Sequence, residues 1–214
     1  MPHSFLHRLL CYKAFGYRYI DAGILSEDER FFESIDTLSH SVQNCALCAL
    51  AKTRTHALIP SGDKSAKLMI ISQTPTLAED ESGVAFSGNL GEKFRASLKE
   101  FCDLEIDQVY STFLIKCALT KGKKLTSETI LKCAPYLIDE IKILRPKVVL
   151  TLGELCAKVV LKNGDLPDIR IIHGSTFKEA GITFIPTFDL NFLSQNPSQI
   201  PLFHDDLRKI KEFL

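Results

Sequence analysis

"KVVLTLGELCAKVVL", residues 147–161, joins two kinds of periodicity at a single glycine. Val148 to Leu152 form an unbroken run of apolar and β-branched residues. A run apolar on both faces is the pattern of a strand buried inside a parallel sheet. Gly153 follows, and the chain passes straight into a helical pattern, "ELCAKVVLKNG", 154–164. Parallel neighbours need a crossover, most often a helix, so a strand feeding directly into a helix predicts a β–α–β unit.

The same alternation recurs on either side. "AKLMIIS" (66–72), "QVYSTFLIKC" (108–117) and "GITFIPT" (181–187) read as three further strands. "GNLGEKFRASLKEFC" (88–102), "SETILKCAPYLIDEIKILR" (127–145) and "LFHDDLRKIKEFL" (202–214) read as helices. Ser127 is the expected N-cap of the second, and Pro146 marks its end. Earlier in the chain, Phe31, Phe32, Ile35, Leu38 and Val42 recur at helical spacing within 27–43, and 2–20 reads as an amphipathic helix. The expected fold is α/β: three α/β/α layers around a parallel four-stranded sheet. Residues 1–33 form an N-terminal helical extension and 34–214 one domain. Ligand sites in such folds lie beyond the carboxyl ends of the strands, which directs attention to loops 72–88, 113–126 and 186–197.

Composition narrows the classes. The chain has 214 residues, 45% hydrophobic and 24% charged, an ordinary globular balance. Its formal net charge is zero, so a nucleic-acid partner would need a local basic patch. No apolar run is long enough for a membrane span. His7, Arg8, Lys13 and Arg18 interrupt the first residues, which lack a small-residue cleavage pattern and so read as an extension and not a signal peptide. The expectation is a cytoplasmic monomer. In a reducing compartment its seven cysteines point to metal binding before disulfides.

Four of those cysteines group. Cys45 and Cys48 stand two residues apart in "NCALCALAKTRT" (44–55); Cys117 closes a strand, and Cys133 lies in the first turns of the next helix. Two thiolates from one loop and two flanking another suit zinc or an iron–sulfur cluster, and the spacing does not choose between them. Cys11, Cys102 and Cys156 each stand alone on an apolar helical face and read as core residues.

Taken together, "CALCALAKTRT", "VYSTFLIKC", "PKVVLTLGELCAKVVL" and "FIPTFDLNFLSQNPS" resemble, in order and spacing, the family 4 branch of the uracil-DNA glycosylase superfamily, over roughly residues 34–214. The resemblance implies a sheet of that family's type, a role in base excision repair and DNA as the partner. It also implies a structural 4Fe–4S cluster on Cys45, Cys48, Cys117 and Cys133. The loop "ALTKGKKLT" would then face DNA, with Lys121, Lys123 and Lys124 as phosphate contacts.

The motifs depart from the family where chemistry is expected. The family's Gly-Glu-(small)-Pro-Gly followed by Glu-Asp corresponds to "SQTPTLAED": Pro75, Glu79 and Asp80 match, but Gln73 replaces the water-activating glutamate. Phe86, the base-stacking ring, is retained in "GVAFSG". Phe113 stands where the family reads uracil with an asparagine, and Asp189 where a histidine stabilises the departing uracil anion. Two explanations follow. In one, the enzyme has moved its carboxylate, with Asp189 or Asp80 polarising water in a catalytic set that includes Gln73; Phe86 and Phe113 take the base-binding positions, and Phe86, Asp80 and Asp189 line the base pocket. In the other, the scaffold has lost cleavage and binds nucleic acid or a protein partner.

Overall fold

The computed structural model describes residues 32–120 and 124–214. The helix expected over 2–20, the division at residue 33, Cys11, Lys121 and Lys123 therefore fall wholly or partly outside the described residues. The elements, in chain order, are α1 (Ile35–Gln43), β1 (Ser61–Gly62), β2 (Leu68–Ser72), α2 (Leu77–Ser82), α3 (Gly88–Cys102), β3 (Tyr110–Phe113), α4 (Ser127–Leu144), β4 (Val148–Leu152), α5 (Glu154–Val160), α6 (Ile169–Ile172), β5 (Phe177–Glu179), β6 (Ile182–Thr187), α7 (Leu190–Gln195) and α8 (Ile200–Ile210). Among the described residues no helix is long and apolar enough to cross a membrane.

The sheet has the order β1-β3-β2-β4-β6-β5. Its four central strands run parallel, as expected. The expected count of four is corrected to six, because β1 pairs antiparallel with β3 and β5 antiparallel with β6. These edge strands have two and three residues and are largely exposed, so they carry no apolar run to betray them. Short antiparallel edges leave little unpaired ladder for another chain to join.

Alternation along each strand sorts the core into two layers. Met69, Ile71, Val149 and Phe184 face α1, α4 and α5, where Leu38, Val42, Leu137 and Cys156 meet them. Leu68, Ile70, Leu150 and Ile185 face the opposite way, against Phe94 and Leu98 of α3 and Phe203 and Leu207 of α8. Cys102 and Cys156 are buried in these layers, as their isolation implied.

Helix starts follow local hydrogen bonding. Ser34 caps α1 through the N–H of Thr37. At α4 the cap is Thr126, not Ser127: its hydroxyl accepts from the N–H of Thr129, while Ser127 is already helical. Arg145 ends α4 in the left-handed region (φ 48°), ahead of Pro146.

Register aligns the strand ends that matter. Ser72 pairs with Phe113, and Leu152 with Thr187. β2 and β4 are neighbours, yet their connections leave toward opposite sides of the sheet. That is the point at which an open α/β sheet forms a crevice beyond its carboxyl ends.

Candidate functional site

The crevice is present: a cleft of about 490 Å³ is lined by Gln73, Gly153, Glu154, Lys158, Asp189 and neighbouring apolar groups. Gln73 follows β2, and its carbonyl accepts from the N–H of Ile115. Gly153 has φ 96°, which favours glycine. A Cβ there would come within 3.3 Å of the Asp189 Cβ and 3.9 Å of Gln73 Oε1. The glycine of the strand–helix turn thus lets Gln73 and Asp189 approach one another.

Asp189 has a structural duty. It is the N-cap of α7, and its Oδ1 accepts from the N–H groups of Asn191 (2.9 Å) and Phe192 (3.3 Å). Burial pushes its carboxyl above the ordinary aspartate range, and these two N–H groups pull it back down. Asp80 does not join the cleft residues. Its carboxylate accepts from the N–H groups of Thr55 (2.9 Å) and His56 (3.3 Å), tying α2 to the segment that follows the Cys45–Cys48 loop. Buried and engaged with two backbone donors, it is built as an anchor; water activation would require it to leave them.

Phe86 and Phe113 are brought together, but on each other. Their rings lie 6.0 Å apart at 26°, each side chain about 1% exposed, and Phe94 also stacks on Phe86 at 4.8 Å. At that separation the two rings are in direct contact and no base fits between them. Phe86 is held by Glu79, whose Oε1 accepts from the Phe86 N–H at 2.6 Å while Oε2 accepts from the N–H and hydroxyl of Thr76. Phe86 itself adopts φ 54°, a strained value for an aromatic residue that this clamp maintains. The Thr-x-x-Glu spacing of Thr76 and Glu79 is a capping box legible in the sequence and passed over there.

The four grouped cysteines converge on one pocket between α1, the 45–54 segment and the start of α4. Arg54 Nη1 donates to Cys117 Sγ at 3.2 Å, and the Lys116 N–H donates to Cys133 Sγ at 3.4 Å. Burial pushes the Cys133 thiol up to about 12, and it also raises Cys117, against which the Arg54 guanidinium acts. Among the described residues no three His, Cys, Asp or Glu side chains gather closely enough for a single metal ion. Four cysteines lining one pocket are a soft ligand set whose number suits either zinc or an iron–sulfur cluster. Lys124 is exposed on the adjoining loop, whose Thr120 hydroxyl donates to Thr53 of the cysteine segment.

Beside this pocket lies an ion pair that sequence reading missed. Lys116 Nζ donates to Glu140 Oε1 (2.5 Å) and to Thr112 Oγ1 (2.6 Å), with the two charged side chains 3% and 0% exposed. A lysine directly after the apolar run 113–115 was the available signal, since a buried cation needs an anion.

Comparison with known proteins agrees with this architecture. A family model described as the uracil DNA glycosylase superfamily matches residues 59–214. A type-4 uracil-DNA glycosylase of Sulfurisphaera tokodaii is 30% identical over 186 residues, covering 84% of each chain. Its counterpart in Saccharolobus solfataricus is 29% identical over 188 residues, 85% of this chain and 87% of that one. A third, from Thermotoga maritima, is 25% identical and is covered over 95% of its length. The chain belongs to the uracil-DNA glycosylase superfamily, in its type-4 branch.

Proposed function

We propose that this protein binds DNA in base excision repair and acts on the N-glycosidic bond, or on the sugar left after its cleavage, through an altered site. The observation that carries this is the cleft at the carboxyl ends of β2, β4 and β6, whose polar wall is Gln73, Glu154, Lys158 and Asp189. A glycosidic bond breaks with positive charge growing on the sugar and negative charge on the base. Carboxylates beside the sugar favour the first; an amide such as Gln73 orients water or a base edge but takes no proton. A second reading, binding without cleavage, is favoured by the direct stacking of Phe113 on Phe86. The test is a panel of oligonucleotides carrying uracil, hypoxanthine, xanthine, mismatched thymine or an abasic site, with strand scission after alkali as the readout of base release and scission without alkali as the readout for the abasic strand. Release of any one base supports the altered enzyme; binding with no release supports the second reading; neither binding nor release rejects both.

Cys45, Cys48, Cys117 and Cys133 would hold a 4Fe–4S cluster, whose contribution is structural: it would fix the 45–54 segment and the 118–126 loop against α4. The purified protein should be brown and contain iron and sulfide. Zinc without iron would refute the cluster.

Lys124, with Lys121 and Lys123 of the same loop, supplies the positive charge proposed to meet DNA phosphates. Replacing the three by alanine should weaken binding and lower the salt-dependence slope by about one unit for each lost contact. Unchanged affinity and slope would show the loop to be merely solvated.

A further inference from the structure

The two carboxylates of the cleft differ in what else they must do. Asp189 is committed to the first N–H groups of α7. Glu154 opens α5, and its partner is Lys158 one turn along the same helix, at 2.6 Å, with the side chains 35% and 29% exposed. Such a pair is weakly held, so either end changes partner readily when a ligand arrives. Both residues line the cleft with Gln73 and Asp189, at the end of the sheet where ligands of this fold class bind.

We propose that Glu154 and Lys158 separate when a nucleotide enters: Glu154 faces the sugar ring, where positive charge develops, and Lys158 faces a flanking phosphate. The assignment rests on the DNA-binding reading above and deepens it, making an electron-poor deoxyribose the group this cleft recognises. No bond is made or broken in this step. Glu154 is the cleft carboxylate without a backbone duty, and its four-atom arm reaches further than that of an aspartate.

The test compares two duplexes that differ in one residue. One carries a pyrrolidine abasic analogue, whose ring nitrogen is protonated; the other carries the neutral tetrahydrofuran analogue of the same shape. The full-length protein should bind the charged duplex about tenfold tighter or more, the range expected for a hydrogen bond to a charged group. Glu154→Gln should remove that preference and leave affinity for the neutral duplex unchanged. Lys158→Gln should weaken both duplexes alike and lower the salt slope by about one unit. Glu105→Gln, at an exposed pair with Lys99 outside the cleft, should behave as the parent. The assignment is overturned if the parent shows no preference, if Glu154→Gln retains it, or if Asp189→Asn is the change that removes it. Failure to bind either duplex overturns both the assignment and the DNA-binding reading beneath it. Thermal melts of each variant confirm folding.

Discussion

Lys116→Met should destabilise the fold by about 3–5 kcal/mol, the usual effect of removing one partner from a buried ion pair. The substitution leaves Glu140, fully buried, without the cation that faces it, and strips the Thr112 hydroxyl of its donor. At a common chain-length scaling this corresponds to a melting temperature lower by about 6–20 °C. The double change Lys116→Met with Glu140→Leu should recover part of the loss, because it removes the unpaired buried carboxylate while the buried Thr112 hydroxyl still lacks its donor. Denaturant midpoints at constant slope measure both. A single variant as stable as the parent would mean that Glu140 is neutral in the fold and that no charge pair exists. Because the pair joins the segment following β3 to α4, its loss should also loosen Cys117 and Cys133, the neighbours of Lys116 in sequence and through its N–H.

Uracil excision by the unmodified protein should be weak or absent, and the combined change Gln73→Glu, Phe113→Asn and Asp189→His should produce or raise it. Each group supplies something the present residue lacks: a base for water, an amide edge for uracil, and a neutral donor for the departing anion. Acid–base groups typically contribute about a hundred- to ten-thousand-fold, so restoration would be measurable even if partial. Phe113→Asn alone should open the space in front of Phe86 yet give little turnover, because no base would activate water. Asp189→His removes the cap of α7, at a cost of about 1 kcal/mol, so the triple variant must be shown to be folded. Efficient uracil release by the parent, untouched by Asp189→Asn, would show that the chemistry resides on other residues.

Much of this architecture was legible because burial writes itself into strands. The runs 66–72, 147–153 and 181–187 gave central strands nearly residue for residue, and α3 was delimited correctly at Gly88 and Cys102. β1 and β5 were silent because two or three exposed residues held by backbone bonds need no particular side chains. The short helices α2 and α7 lay inside expected loops; their caps, Thr76 and Asp189, were visible, but six residues are too few to display a period. The site divides in the same way. Cysteine spacing announced its own grouping. The contact between Phe86 and Phe113 arises from the register of β3 and the Glu79 clamp, and no local pattern encodes it. Glu154 was overlooked because an i,i+4 Glu–Lys pair reads as ordinary helix surface until the fold sets it at the crevice.

If Phe86 is the ring on which a base stacks, its contact with Phe113 turns that pocket into a conformational equilibrium. In the closed state Phe113 is its own pocket's ligand, and anything that stacks on Phe86 must first displace it. Burying such a ring is worth about 1.5–3 kcal/mol, and an aromatic pair adds about 0.5–1.5 kcal/mol. An open state higher by about 2–4.5 kcal/mol is populated at roughly one part in thirty to one in two thousand, and apparent affinity for a base falls by that fraction. A base that pairs well in the duplex adds the cost of its own extrusion, whereas an unpaired base does not. Under the proposed DNA-binding reading the closed aromatic pair would therefore work as a threshold: it would select for nucleotides already out of the stack, through the population of the pocket and without any hydrogen bond to the base.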